Sequence, residues 1–150
     1  VMLPCYEWNR CIVVPPKHPL LKSKQITLEV INQYSIITYD SAFTGRSKIN
    51  HAFEKAGMEP NIVLTAIDSD VIKTYVELGL GIGILANMAF DRKRDSPLQS
   101  IDASHLFESS TTRIGINRNS YIRSYIFDFV EMFAPHLKRS DIITKLQNRN

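Results

Sequence analysis

Four short apolar runs, over residues 11–14, 36–39, 61–66 and 82–85, constrain this sequence most, because each is too short for a helix and helical-period stretches separate them. The first, Cys11-Ile12-Val13-Val14, is closed by Pro15-Pro16, which cannot extend a strand's hydrogen-bond ladder. A short helix is expected over 27–33, followed by the strand run Ile36-Ile37-Thr38-Tyr39. Over 45–56, Ile49, Ala52, Phe53 and Ala56 recur at i, i+3, i+4 and i+7, one apolar helix face, and Gly57 supplies the left-handed residue that ends it. Ile62, Val63 and Leu64 are consecutive and read as a buried strand. Over 68–78, Val71, Ile72, Tyr75 and Val76 share a side, with Asp68 and Asp70 where the helix dipole favours acids. Residues 91–97 are polar and read as a surface loop, with short strands expected over 98–101 and 113–117. The helix over 121–133 carries Ile122, Tyr125, Ile126, Phe129, Val130 and Phe133 as its apolar stripe and stops at Pro135; a weaker helix covers 141–148. Strands alternating with helices predict an α/β chain whose largely parallel sheet is covered on both faces.

A chain of 150 residues, 44% hydrophobic and 22% charged, buries a real core, which excludes disordered and fibrous classes and fits one domain, or one lobe plus part of another. Val1 stands where an initiator Met is expected, pointing to a fragment or a processed chain. No apolar run approaches the ~18 residues of a membrane span, and the start shows no secretory signal, so a cytoplasmic location is expected. A net charge of +3, with Arg92-Lys93-Arg94 cut short by Asp95, is too little for a nucleic-acid surface; a solvated loop is expected there. Cys5 and Cys11, with His18, His51, His105 and His136 scattered, fit neither a zinc site nor a redox pair, so neither metal nor cofactor is expected.

Gly79-Leu80-Gly81-Ile82-Gly83 superficially matches a nucleotide-binding loop, but such a loop follows a strand and opens a helix. Here a helix precedes and a strand follows, so these glycines read as a helix stop and a tight turn. Phe43-Thr44-Gly45-Arg46-Ser47 lies after a strand and opens a helix, the place where open α/β sheets bind ligands. Thr44 reads as the helix cap, and Gly45 as a residue without a side chain that lets an anion approach free backbone N–H groups; a plain cap is the alternative. Asp68 and Asp70 are either a cap and a dipole partner or a carboxylate pair for metal or acid–base work. Ser47, His51 and Asp68 lack the elbow motif of a nucleophilic triad, so no catalytic residue is assigned. Trp8, the only tryptophan, reads either as core or as a pocket wall.

Val13-Val14 with His18-Pro19-Leu20, and Val76 with Gly79-Leu80-Gly81-Ile82-Gly83-Ile84-Leu85, resemble two signatures of LysR-type effector domains. Ala86 departs from the proline common there. Trp8-Asn9-Arg10, Phe43-Thr44-Gly45-Arg46-Ser47, Asp68-Ser69-Asp70-Val71-Ile72-Lys73-Thr74-Tyr75-Val76 and Phe133-Ala134-Pro135-His136-Leu137 are similar to the CysB and Cbl subfamily over essentially the whole chain, the last segment to its CysB side. The resemblance implies a lobe like those of type II periplasmic binding proteins, with a largely parallel or mixed sheet flanked by helices and a C-terminal segment returning to the other lobe. It places residues 1–8 at the end of a crossover strand, 9–110 in the second lobe and 111–150 on the return. It also implies a winged helix-turn-helix and a first half of lobe one outside this chain, with DNA bound only through the former. Trp8 and Thr44 are the effector-binding residues the resemblance implies, to which the position of the loop before the helix adds Phe43 and Gly45. The implied ligand is sulfate, O-acetylserine or N-acetylserine, and the implied assembly a homodimer or homotetramer, with helix 45–56 and strand 61–66 on the dimer surface. A solute-binding protein of a transport system and an α/β enzyme are the competing readings.

Overall fold

The computed structural model describes residues 1–147. The described chain divides into two compact units, residues 8–110 and a second unit formed by residues 1–7 with 111–147.

The larger unit is built on a five-stranded sheet in the order β4-β3-β5-β2-β6, from β2 (Arg10–Val14), β3 (Ile36–Tyr39), β4 (Ile62–Ala66), β5 (Ile82–Ala86) and β6 (Gln99–Asp102). β3 pairs in parallel with β4 and β5, whereas β2 pairs antiparallel with β5 and β6. The sheet is therefore mixed rather than largely parallel. β2 enters between strands that come 70 or more residues later in the chain, and nothing in its own apolar run encodes that direction.

Alternation along β2 sorts the core onto two faces. Ile12 and Val14 point to one side with Ile36, Ile49, Phe53, Ile82 and Ile84, under α1 (Leu28–Ile31) and α2 (Thr44–Lys55). Cys11 and Val13 point to the other with Ile37, Leu85, Ile72 and Val76, under α3 (Ser69–Glu77). Thr38, the one hydroxyl fully inside β3, donates to the Ile84 carbonyl at 2.8 Å, which satisfies it in the core. β4 is an edge strand, and Val63 in it is exposed, against the expectation of a fully buried run, because it falls where the β3–β4 register shifts: Ile36 lies opposite Ile62 and Ile37 opposite Leu64, so Val63 is passed over.

The helix boundaries follow their local chemistry. Thr27 caps α1 through its hydroxyl, and Asp68 caps α3 by accepting the Val71 N–H at 2.9 Å. Gly57 and Gly79 take φ of +70° and +77° after α2 and α3, the helix stops expected of them. Gly81 is required by close approach: a Cβ there would stand 2.3 Å from the Ser35 carbonyl oxygen, which the next amide, Ile82 N–H, binds at 2.8 Å.

In the smaller unit β1 (Met2–Trp8) and β7 (Ser110–Gly115) pair as a two-stranded sheet, with α4 (Ser124–Phe133) and α5 (Arg139–Gln147) following. Its core holds Leu3, Cys5, Phe127, Val130, Ala134, Leu137 and Ile142. α4 starts later than its stripe suggests, and its buried face runs through Phe127, Val130 and Ala134, leaving Tyr125, Phe129 and Met132 exposed. α5 begins at Arg139, ahead of the expected start, and Asn148 lies outside the described residues.

Candidate functional site

Trp8, Asn9 and Arg10 form one braced corner of the larger unit. Asn9 accepts the Arg10 N–H at 2.8 Å on its own side-chain oxygen and donates from Nδ2 to the carbonyls of Ser104 and Phe107, so its amide is fixed from both ends. Arg10 opens β2, the sheet strand with every residue buried, and is itself only 1% exposed. Its Nη1 donates to the Glu108 carbonyl at 3.0 Å; its Nη2 donates to the Gly45 carbonyl at 3.0 Å and to Ser110 Oγ at 2.9 Å. The guanidinium carbon lies 4.9 Å from the centre of the Trp8 ring, which covers its face. Burial pushes the Arg10 pKa below the usual arginine value; so high a starting point leaves it charged at neutral pH.

The start of α2 closes against this corner. Phe43, extended at φ −88° and ψ 132°, is the N-cap residue; the helix begins at Thr44. The expectation that Thr44 caps the helix is thus corrected: Thr44 is already helical, one position too late to cap. The Thr44 side chain lies outside the described part of the structure. The first turn of a helix has no intrahelical acceptors for its N–H groups, and here the Arg46 N–H is taken by the Phe43 carbonyl at 3.0 Å.

Trp8, Tyr39, Phe43 and Gly45 line a mainly apolar cleft of about 150 Å³. The rings of Tyr39 and Phe43 are 6.2 Å apart, and the Tyr39 hydroxyl is held by the Ala86 N–H at 3.2 Å. Burial raises the Tyr39 pKa, keeping it neutral. A Cβ at Gly45 would meet Arg10 Nη2 at 3.4 Å and Trp8 Cη2 at 3.5 Å, so the missing side chain leaves open the floor of the cleft above the guanidinium. Arg46, on the next residue, turns away from that floor to the Tyr39 carbonyl at 2.8 Å and to Asn50 at 2.9 Å. Three of the residues expected at a site, Trp8, Phe43 and Gly45, therefore meet around one cleft. Tyr39, the fourth lining residue, was not expected there, nor was Arg10 beneath Gly45 and Trp8; the signal for Arg10 was a cation set against an apolar strand, where burial demands partners.

The other candidates take structural roles. Asp68 caps α3, and Asp70 pairs with Lys73 at 2.9 Å, while Lys73 also reaches Asp95 at 3.0 Å and the Ala89 carbonyl. Ser47 and His51 ride on α2 and Asp68 on the opposite-face helix α3, so the sheet separates the members of the imagined triad. The 91–95 loop is closed by Asp91, which accepts the N–H groups of Lys93 and Arg94. No group of three or more metal-type side chains gathers among the described residues. Nor is any described helix long and apolar enough to cross a membrane.

A mixed sheet with helices on both faces, with a braced cleft at a helix start, defines an α/β module. Residues 1–138 match the family described as the LysR substrate binding domain, and the chain belongs to that family. It is 55% identical over 142 residues to the HTH-type transcriptional regulator SsuR of Burkholderia cenocepacia, covering 95% of this chain and 46% of that protein. It is 54% identical over 139 residues to the regulator CysB of the same organism, covering 93% of this chain and 44% of that protein. The crystal structure of the cofactor-binding domain of the Cbl transcriptional regulator superposes with a TM-score of 0.93 at 39% identity, covering 99% of this chain and 65% of that one. The chain spans about half the length of the curated relatives it matches, and these relatives are transcriptional regulators rather than enzymes. It is thus an effector-binding domain of the CysB, Cbl and SsuR type.

Proposed function

We propose that this chain is the sensing part of a cytoplasmic LysR-type regulator of sulfur assimilation and cysteine biosynthesis, and that the cleft at Trp8, Phe43, Thr44 and Gly45 receives a small anionic group, that of sulfate or the carboxylate of an O- or N-acetylserine-type metabolite. The observation that carries this reading is the opening over Gly45 at the N-terminus of a twelve-residue helix. N–H donors and about half a positive charge at a helix start favour an anion. Residues 1–8 then end the first crossover strand, 9–110 form the effector lobe and 111–150 return to the other lobe. DNA is bound through a winged helix-turn-helix outside this chain, and the protein pairs as a homodimer or homotetramer through α2 and the exposed edge strand β4.

The test uses the full-length protein on its own upstream DNA. Sulfate, O-acetylserine and N-acetylserine are each titrated by calorimetry, and DNA affinity is measured with and without each. The reading expects at least one of them to bind saturably and to change the DNA affinity, and expects Trp8→Ala to abolish both effects. Saturable binding to none of the three overturns it.

A further inference from the structure

Arg10 is a buried cation whose partners are all neutral. Its three side-chain bonds go to two backbone carbonyls and one hydroxyl, an indole covers its face, and no carboxylate among the described residues forms an ion pair with it. Among the described residues the ion pairs involve Lys73 and Arg94 instead. Evolution usually neutralises a charge this far from water, because an unpaired buried ion is costly. The compensating space is visible. An atom standing where Gly45 lacks its Cβ lies 3.4 Å from Nη2 and 3.5 Å from the Trp8 ring, on the cleft side of the guanidinium.

We infer that Arg10 is the charge-selecting residue of this cleft: fixed below Gly45 and stacked on Trp8, it supplies the positive potential that favours ligands presenting an anionic group over molecules without one. This rests on the cleft being the effector site. Arg10 does not use its hydrogen bonds on the ligand, since Nη1 and Nη2 already donate to Glu108, Gly45 and Ser110. It acts through its field at short range in a half-buried cleft, where screening by salt is weak. It also positions the two walls a ligand touches, the Trp8 ring and the peptide that follows Gly45.

The full-length protein distinguishes charge from scaffolding. Sulfate, a dianion, and N-acetylserine, a monoanion, are titrated by calorimetry against wild type, Arg10→Lys and Arg10→Gln, with urea unfolding as the control for fold. A Coulombic role scales with ligand charge, so Arg10→Gln should lower sulfate affinity at least ~30-fold and N-acetylserine affinity by about the square root of that factor; Arg10→Lys should hold sulfate within ~5-fold. If Arg10→Gln does not fold, Arg10→His replaces it: sulfate affinity should then rise as the pH falls from 8 to 5.5 and the imidazole charges. Tyr39, the titratable side chain facing Arg10 from β3, is pushed up by burial and stays silent over that range. Equal losses in Arg10→Lys and Arg10→Gln, or a flat pH profile in Arg10→His, assign Arg10 a scaffolding role and overturn the inference. Binding lost in Trp8→Ala but unchanged in Arg10→Gln sinks this inference alone, and wild-type protein that binds neither probe sinks the cleft reading with it.

Discussion

Replacing Gly45 by alanine separates occupancy of the cleft from stability of the fold. Gly45 is the second residue of α2 and has no positive φ, so alanine adopts its backbone conformation without strain. The new methyl carbon would sit 3.4 Å from Arg10 Nη2 and 3.5 Å from Trp8 Cη2, ordinary van der Waals contacts that ask neither neighbour to move. Alanine in a helix is better than glycine by roughly 0.5–1 kcal/mol, so the urea midpoint should stay level or rise. Ligand binding should respond in the opposite direction. The methyl occupies the floor of a cleft of only about 150 Å³ and keeps an anion from the N–H groups at the helix start. Losing one hydrogen bond to a charged ligand costs about 1.5–3 kcal/mol, which is roughly a 10- to 100-fold weaker Kd. Urea unfolding and calorimetry on the full-length protein report the two effects separately. A variant of unchanged or raised stability that binds the effector as tightly as wild type would refute the reasoning, because no anion could then be approaching Gly45.

Thr44→Ala should weaken effector binding roughly 10- to 100-fold through loss of a hydroxyl donor, without the loss of a helix cap, since Phe43 holds that position; calorimetry and urea unfolding check both halves. Lys73→Met should destabilise the larger unit by about 1–3 kcal/mol in urea unfolding, because it leaves Asp95, whose side chain is only 10% exposed, with the Asp91 N–H and the exposed Arg94 alone. The Asp91 N–H and the Lys73 ammonium hold the Asp95 pKa below the ordinary carboxylate range despite burial. A depressed acid stabilises the fold above its unfolded pKa, so stability should fall as the pH drops below about 4, and Asp95→Asn should flatten that decline. Burial, reinforced by Asp102, pushes the Cys11 thiol up to about 12, so an aromatic disulfide reagent at pH 8 should label it only on unfolding. The isolated chain should show no sequence-specific DNA affinity at physiological salt in an anisotropy titration, since the family resemblance assigns DNA binding to a winged helix-turn-helix outside it.

Local rules carried much of this fold. The 3.6-residue period of Ile49 and Phe53 placed α2 against the sheet, and Gly57 and Gly79 marked the helix ends where a positive φ was needed. Residue period does not encode strand direction, order or register, so the insertion of β2 between β5 and β6 was invisible, as was the register shift that leaves Val63 outside the core. The α4 stripe failed for a related reason: an aromatic-rich helix offers several apolar faces, and tertiary packing chose the one through Phe127 and Val130. At the site, Trp8 and the 43–45 segment stood out through family resemblance and through the position of a helix start. Arg10 did not, because its role depends on Gly45, Glu108 and Ser110, which lie 35 to 100 residues away in sequence.

The most direct measurement follows individual amide and indole resonances of the 15N-labelled, full-length effector domain during a sulfate titration. The account predicts saturable shifts at the Gly45 amide and the Trp8 indole, with a common Kd that matches calorimetry. Saturable binding that leaves both resonances in place, and moves the solvent-side groove of Lys48, His51 and Lys55 instead, would contradict it.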